Sequence, residues 1–238
     1  MLTTIDLKTE RLPAPRGIVT PEAEFTWALS ADGDGERQTA CEVEVDHLAP
    51  DGSATSAWRS GKLERLIGDE VRYAGDALVS RSDYRWRVRV WPAPSDVEGN
   101  GDEQASDWSD WTTFETGTIA PDAFTAQWIT GGGALRREVR VGENLVRARA
   151  YVSGLGYYEF FCNGAKVSAA TLAPSFTEFD KRVEYEIVDL TSSLQAGDNG
   201  VGFLLADGWW RHGAEAREGR CNQVLAEIVL EYADGKRE

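Results

Sequence analysis

The stretch Asp207-Gly208-Trp209-Trp210-Arg211-His212 concentrates side chains that could bind a small polar ligand. Indole faces pack against the C–H faces of sugar rings, and neighbouring polar groups bond the hydroxyls. The stretch ends the apolar run 201–206 and enters a polar, glycine-containing loop at 213–220, so a ligand could reach it. Trp209, Trp210, Arg211 and His212 are therefore the candidate sugar-binding residues. The competing reading is that one or both indoles fill the core. Period-two alternation would put Trp209 and Trp210 on opposite sides, leaving at most one facing inward.

Other chemistry is weaker. Glu178 and Asp180 lie two apart beside Phe176 and Phe179. Hydrolysis of a glycosidic bond needs a paired acid and base, but in so acidic a chain such a pair reads first as a solvated edge. His47 and His212 are far apart and have no visible triad or metal partners. Cys41, Cys162 and Cys221 form no CxxC or Cys/His pattern and read as small core residues beside apolar runs. Gly131-Gly132-Gly133 precedes a strand rather than a helix, so it is a turn and not a phosphate cradle. No catalytic residue, metal ligand set or cofactor is assigned.

The elements that must position these residues are strands. Cys41, Val43 and Val45 alternate with Glu42, Glu44 and Asp46. Tyr84, Trp86, Val88 and Val90 alternate with Arg85, Arg87 and Arg89. Both runs predict one buried and one wet face, and His47 continues the first as a partly buried strand end. The stretch 115–123, ETGTIAPDA, is a linker, and the alternation restarts after it. Val146, Ala148, Ala150 and Val152 alternate with Arg147, Arg149 and Tyr151. Tyr158, Phe160 and Cys162 lead into Asn163-Gly164, a two-residue hairpin signal. Val183, Tyr185 and Ile187 make another strand, and 224–232 the last. The 238 residues thus read as two tandem β-sandwiches, residues 1–119 and 120–238. The final GKRE, 235–238, follows a strand and turn, so the second sandwich reads as cut just after Gly235.

Composition sets bounds. The chain is 42% hydrophobic and 27% charged, a globular rather than a disordered profile. Its net charge is −15. Residues 1–119 carry 12 basic and 23 acidic side chains, and residues 120–238 carry 13 and 17. That field repels a phosphate backbone, so nucleic acid is excluded as a partner. No apolar run of membrane-spanning length and no secretory leader is visible, which points to the cytoplasm.

Ordered landmarks then resemble a known family. Tyr84-Arg85-Trp86-Arg87-Val88-Arg89-Val90-Trp91, followed by Trp108-Ser109-Asp110-Trp111 and Phe114-Glu115-Thr116-Gly117, resembles the fibronectin type III-like module that opens many bacterial α-L-rhamnosidases, glycoside hydrolase family 78. Ala126-Gln127-Trp128-Ile129 looks like the entry to that family's next module. Gly156-Tyr157-Tyr158, Asn163-Gly164, Leu172-Ala173-Pro174, Lys181-Arg182-Val183-Glu184-Tyr185, Asp189-Leu190-Thr191 and Gly208-Trp209-Trp210 resemble its N-terminal, galactose-binding-like jelly roll.

The resemblance implies an all-β accessory region of an inverting glycosidase. Its catalytic (α/α)6 barrel would lie downstream in the same polypeptide, so this chain alone is expected to be inactive. Carbohydrate and a second copy of the chain stand as candidate partners. Some relatives carry a calcium-dependent rhamnose site in the jelly roll, with an Asp-Asn pair after the hairpin valine. Here that stretch reads Val167-Ser168-Ala169-Ala170. An alanine side chain can neither ligate calcium nor accept a bond from a sugar hydroxyl. The expectation moves from sugar binder toward structural accessory. The rival reading, a carbohydrate-binding module for rhamnose or a related sugar, rests on the Trp209-Trp210 loop.

Overall fold

The computed structural model describes residues 2–33, 36–64, 70–93, 104–119, 124–211 and 219–238. It is an all-β chain that divides into two compact units, Met1–Ala123 and Phe124–Glu238. Part of the expected linker, 120–123, and most of the loop after Arg211, including His212, lie outside the described residues.

The N-terminal unit is built from β1 (Leu2–Thr9), β2 (Arg16–Ile18), β3 (Glu24–Ala31), β4 (Gln38–Leu48), β5 (Ala54–Arg59), β6 (Leu63–Glu64), β7 (Val71–Arg72), β8 (Asp83–Pro92) and β9 (Thr112–Thr116). One sheet runs β1-β3-β7; the other runs β2-β9-β8-β4-β5, with β6 also on β4. The alternation on β4 and β8 holds on the inner face. Val43, Val45, Trp86, Val88 and Val90 are fully buried with Phe25 from the facing sheet. The Trp86 ring lies 4.6 Å from Phe25, and its Nε1–H donates to Thr9 Oγ1 at 2.9 Å. His47 is half-buried against Tyr84.

The outer face differs from the expected wet one. Arg85, Arg87 and Arg89 sit opposite Asp46, Glu44 and Glu42 across the strand pair and bond them at 3.0, 2.7 and 2.6 Å. Tryptophans then cap the guanidinium groups. Trp111 lies 4.3 Å from Arg85 and 4.5 Å from Arg87; Trp108 lies 4.6 Å from Arg87 and 4.7 Å from Arg89. Trp91 extends the stack beside Arg89. The segment carrying Trp108 and Trp111 is fastened by serines. Ser106 and Ser109 donate their backbone N–H to the carbonyls of Val90 and Val88. Their hydroxyls accept from the N–H groups of the same two residues at 3.1 Å.

Cation–π contacts at part-exposed sites contribute roughly 0.5–1 kcal/mol each. Arg87→Ala, which loses two of them and the Glu44 bond, is therefore expected to destabilise the unit by about 1–2 kcal/mol. Arg87→Lys keeps the charge but not the planar stack, so it should recover only part of that loss. A urea midpoint for Arg87→Lys equal to wild type would show that charge alone matters.

The C-terminal unit contains β10 (Ile129–Thr130), β11 (Ala134–Val141), β12 (Leu145–Leu155), β13 (Tyr157–Cys162), β14 (Ala165–Lys166), β15 (Tyr185–Asp189), β16 (Gly197–Ala206), a short helix α1 (Gly208–Arg211) and β17 (Gln223–Tyr232). Two four-stranded sheets, β10-β17-β12-β15 and β11-β16-β13-β14, enclose a core of Ala148, Ala150, Val152, Phe160, Val201, Phe203 and Leu230. The Asn163-Gly164 hairpin is present with both residues at positive φ, and the Asn163 side chain also bonds Asn199 at 2.8 Å. β12 is buried on both faces from Arg147 to Ser153. Buried arginines need partners; Arg147 bonds Glu231 at 3.1 Å and Arg149 bonds Asp189 at 2.7 Å. Beyond Gly235 the last residues turn back along β17, with Leu230 and Glu238 exchanging backbone bonds at 2.9 Å. Cys41 and Cys162 are buried as expected, but Cys221 is exposed. It lies in the connection entering β17 rather than in the strand.

Buried tyrosines give the fold an alkaline limit. Burial pushes Tyr73 up to about 12 from an ordinary value near 10, and the neighbouring Tyr84 and Asp76 charges add to it. Burial also raises Tyr84. Tyr158 is raised by burial first and then by the Glu186 carboxylate, to which its hydroxyl donates at 3.3 Å. The fold favours each neutral form, so their contribution is complete below the unfolded value near 10. For Tyr73 it is lost as pH climbs from about 10 through about 12, and for Tyr84 and Tyr158 as pH climbs above 10. An absorbance titration of tyrosinate should therefore show Tyr73, Tyr84 and Tyr158 still protonated above the ordinary value near 10, ionising fully only as the chain unfolds.

Candidate functional site

Period-two alternation predicts that Trp209 and Trp210 face opposite sides. The chain leaves β16 at Asp207 and makes the helical turn α1. Gly208 permits this turn. Its φ is +53°, and a Cβ there would come within 3.0 Å of the Tyr157 ring. Successive side chains on a helix point about 100° apart, so the two indoles still diverge. Trp210 is 9% exposed and Trp209 57%. One indole is core and one is presented to solvent, for a helical reason rather than the alternation expected.

Trp210 is the anchor. Its Nε1–H donates to the Cys221 carbonyl at 2.9 Å. The Phe179 ring meets it edge-on at 5.8 Å. Arg220 lies 3.7 Å over its face and is held there by Asp180, 3.0 Å from Arg220 Nη2. Asp180, one of the two carboxylates considered for acid–base work, thus positions a guanidinium. Its companion Glu178 bonds Lys181 at 2.9 Å. The pair does not form an acid and a base facing a common cleft.

The exposed half is a shelf. Phe176, 65% exposed, meets Trp209 edge-on at 6.2 Å. Arg211 and Asn222 both donate to Asp207 Oδ1 at 2.8 Å, which places a polar cluster at the base of α1. The arrangement offers two aromatic surfaces beside charged donors and acceptors, the combination that suits a sugar. The structure thus joins Trp209, Trp210 and Arg211 of the expected set. It adds Phe176, Phe179, Asp180, Asp207, Arg220 and Asn222.

The stretch Val167–Ala170, where the resemblance would place calcium, is closed by hydrogen bonds within the protein. Ser168 Oγ lies 2.8 Å from both Glu186 oxygens, and the Tyr158 hydroxyl donates to one of them. Calcium takes about six to eight oxygen ligands. Among the described residues no cluster of three or more His, Cys, Asp or Glu side chains that could hold a metal ion occurs here or elsewhere. The residues present do not fit a calcium ion.

Comparisons with known proteins agree with this architecture. Residues 4–120 match the family model described as "Rha78A-like, N-terminal immunoglobulin domain", and residues 143–238 match "Alpha-L-rhamnosidase N-terminal domain". An α-L-rhamnosidase of Formosa agariphila is 29% identical over 98% of this chain and 28% of its own length. One from Streptomyces avermitilis is 31% identical over 88% of this chain and 21% of its own. The solved α-L-rhamnosidase of Dictyoglumus thermophilum superposes with a TM-score of 0.84 at 26% identity, covering 99% of this chain and 28% of that one. A Streptomyces avermitilis α-L-rhamnosidase solved with L-rhamnose gives 0.88 at 20% identity, a likeness of fold alone, over 100% of this chain and 40% of that one. The chain spans about a quarter of the length of the curated relatives it matches. With both modules matched in the same order, the chain belongs to the α-L-rhamnosidase family.

Proposed function

We propose that this chain acts as a non-catalytic, N-terminal accessory region of an α-L-rhamnosidase, supporting a catalytic (α/α)6 barrel in the same polypeptide that releases terminal α-L-rhamnose from glycosides. The observation that carries the reading is coverage. Nearly all of this chain aligns with about a quarter of its relatives, and that quarter is two β-sandwiches. The one helix among the described residues is four residues long, so the described chain contributes nothing to a helical barrel. An aryl α-L-rhamnoside incubated with the chain alone should hydrolyse no faster than without protein. Turnover that persists through repurification would sink the proposal.

The second reading, a carbohydrate-binding module, is favoured by the exposed Trp209–Phe176 shelf. Titration with L-rhamnose should then quench or shift indole emission, equally with and without calcium. Trp209→Ala should abolish the change while leaving the unfolding free energy from urea titration within about 0.5 kcal/mol, as for most exposed sites. A flat titration up to high millimolar sugar removes this reading and leaves the accessory one standing.

A further inference from the structure

The two sheets of the C-terminal unit do not meet along one side. There the edge strand β11 faces β17 across a cleft of about 810 Å³ whose apolar wall includes Leu135, Val139, Phe203, Ala226 and Ile228. Among the described residues β11 pairs only with β16, on one side. Backbone bonds fix which of its groups point outward. Leu205 N–H donates to Gly133 O, and Asn163 N–H donates to Gly200 O. In an antiparallel pair both polar groups of a residue point the same way, alternating along the strand. The odd-numbered residues of β11 therefore bond β16. Ala134, Arg136, Glu138 and Arg140 direct their N–H and C=O groups at the open edge. Most of β11 is exposed.

Charged side chains on an edge ordinarily discourage pairing. Here they alternate in sign two residues apart, Arg136 and Glu138, on the outer face. That makes the edge self-complementary in one register. We propose that β11 pairs with β11 of a second copy of this chain, antiparallel about a two-fold axis at Arg137. Arg136 then faces Glu138 of the other copy, twice, and Leu135 faces Val139, twice, on the cleft side. The outward groups from Ala134 to Arg140 form about eight backbone hydrogen bonds.

Neighbouring registers are poorer. A two-fold at Glu138 sets Glu138 against Glu138 and Arg136 against Arg140. A two-fold at Val139 makes only about four such bonds within the strand, because Gly142 N–H already donates to the Tyr232 hydroxyl. The favoured register carries one like-charge contact, Arg137 against Arg137, which its additional bonds outweigh.

The Arg137 site is a non-hydrogen-bonded pair, where Cα atoms approach to about 4.5 Å, within disulfide reach. Arg137→Cys, made with the exposed Cys221 changed to serine, should form a covalent dimer in air on a non-reducing gel. Val139→Cys in the same background should not. Sedimentation of the unmodified chain should show a concentration-dependent dimer. Glu138→Arg should shift it to monomer, and Arg136→Glu with Glu138→Arg together should restore the dimer. Arg137→Thr, which relieves the like-charge contact, should tighten it severalfold. A chain that sediments as monomer at every attainable concentration overturns the proposal. So does a dimer indifferent to these changes, and so does capture of an acidic extended peptide by the edge in place of a second copy.

Discussion

Trp86→Ala is expected to lower the unfolding free energy of the N-terminal unit by about 3–5 kcal/mol, the range for truncating a fully buried large aromatic side chain. The indole is unexposed at the middle of β8, with Phe25 4.6 Å and Trp27 6.5 Å away. Alanine leaves a void that neither sheet can close, because β8 is paired to β4 over its whole length. It also removes the donor to Thr9 Oγ1, the side-chain bond that ties β8 to β1. Trp86→Phe keeps a ring against Phe25 and should lose less. Urea unfolding followed by far-ultraviolet circular dichroism gives the comparison. A Trp86→Ala midpoint equal to wild type would mean that the indole does not fill this core.

The corresponding position in the C-terminal unit is Phe160. It is unexposed on β13 and stacks on Phe203 of β16, with ring centroids 4.6 Å apart and an interplanar angle of 7°. Phe160→Ala should cost about 3–5 kcal/mol. Phe203 would lose its stacking partner, while Tyr158 stays fixed by bonds to Val152 and Glu186 and cannot move in to fill the space. Phe176→Ala removes the same side chain from a solvent-exposed position and should change stability by less than about 0.5 kcal/mol. The contrast between the two substitutions separates core from shelf. Similar losses from both would show that the shelf is a hidden part of the core.

Inner faces were legible because a strand buried on one side writes its burial into every second residue. Trp86 and Phe160 both follow that rule. Outer faces were not, because periodicity says which residues share a face but not what covers it. The arginine face of β8 reads as wet until the segment with Trp108 and Trp111 returns over it. The spacing of those tryptophans was visible, but their target was not. The shelf divides the same way. Trp209 and Arg211 were legible from their chemistry. Phe176, Phe179, Asp180 and Arg220 join them only because the topology brings the loop before β15 beside α1. Cys221 was misplaced because adjacency to an apolar run says nothing about the connection that precedes it.

The serine-and-tryptophan segment before β9 has a consequence for how this module can vary in length. Ser106 and Ser109 are three apart, as are Trp108 and Trp111, and the two serines meet residues two apart on β8, Val90 and Val88. One inserted or deleted residue between Ser106 and Trp111 would slide the indoles out of phase with the guanidinium groups and strand one serine. A stretch without regular secondary structure is thus length-locked, as intolerant of insertion as a core strand. Functional relatives are expected to differ in loop length around it, not within it.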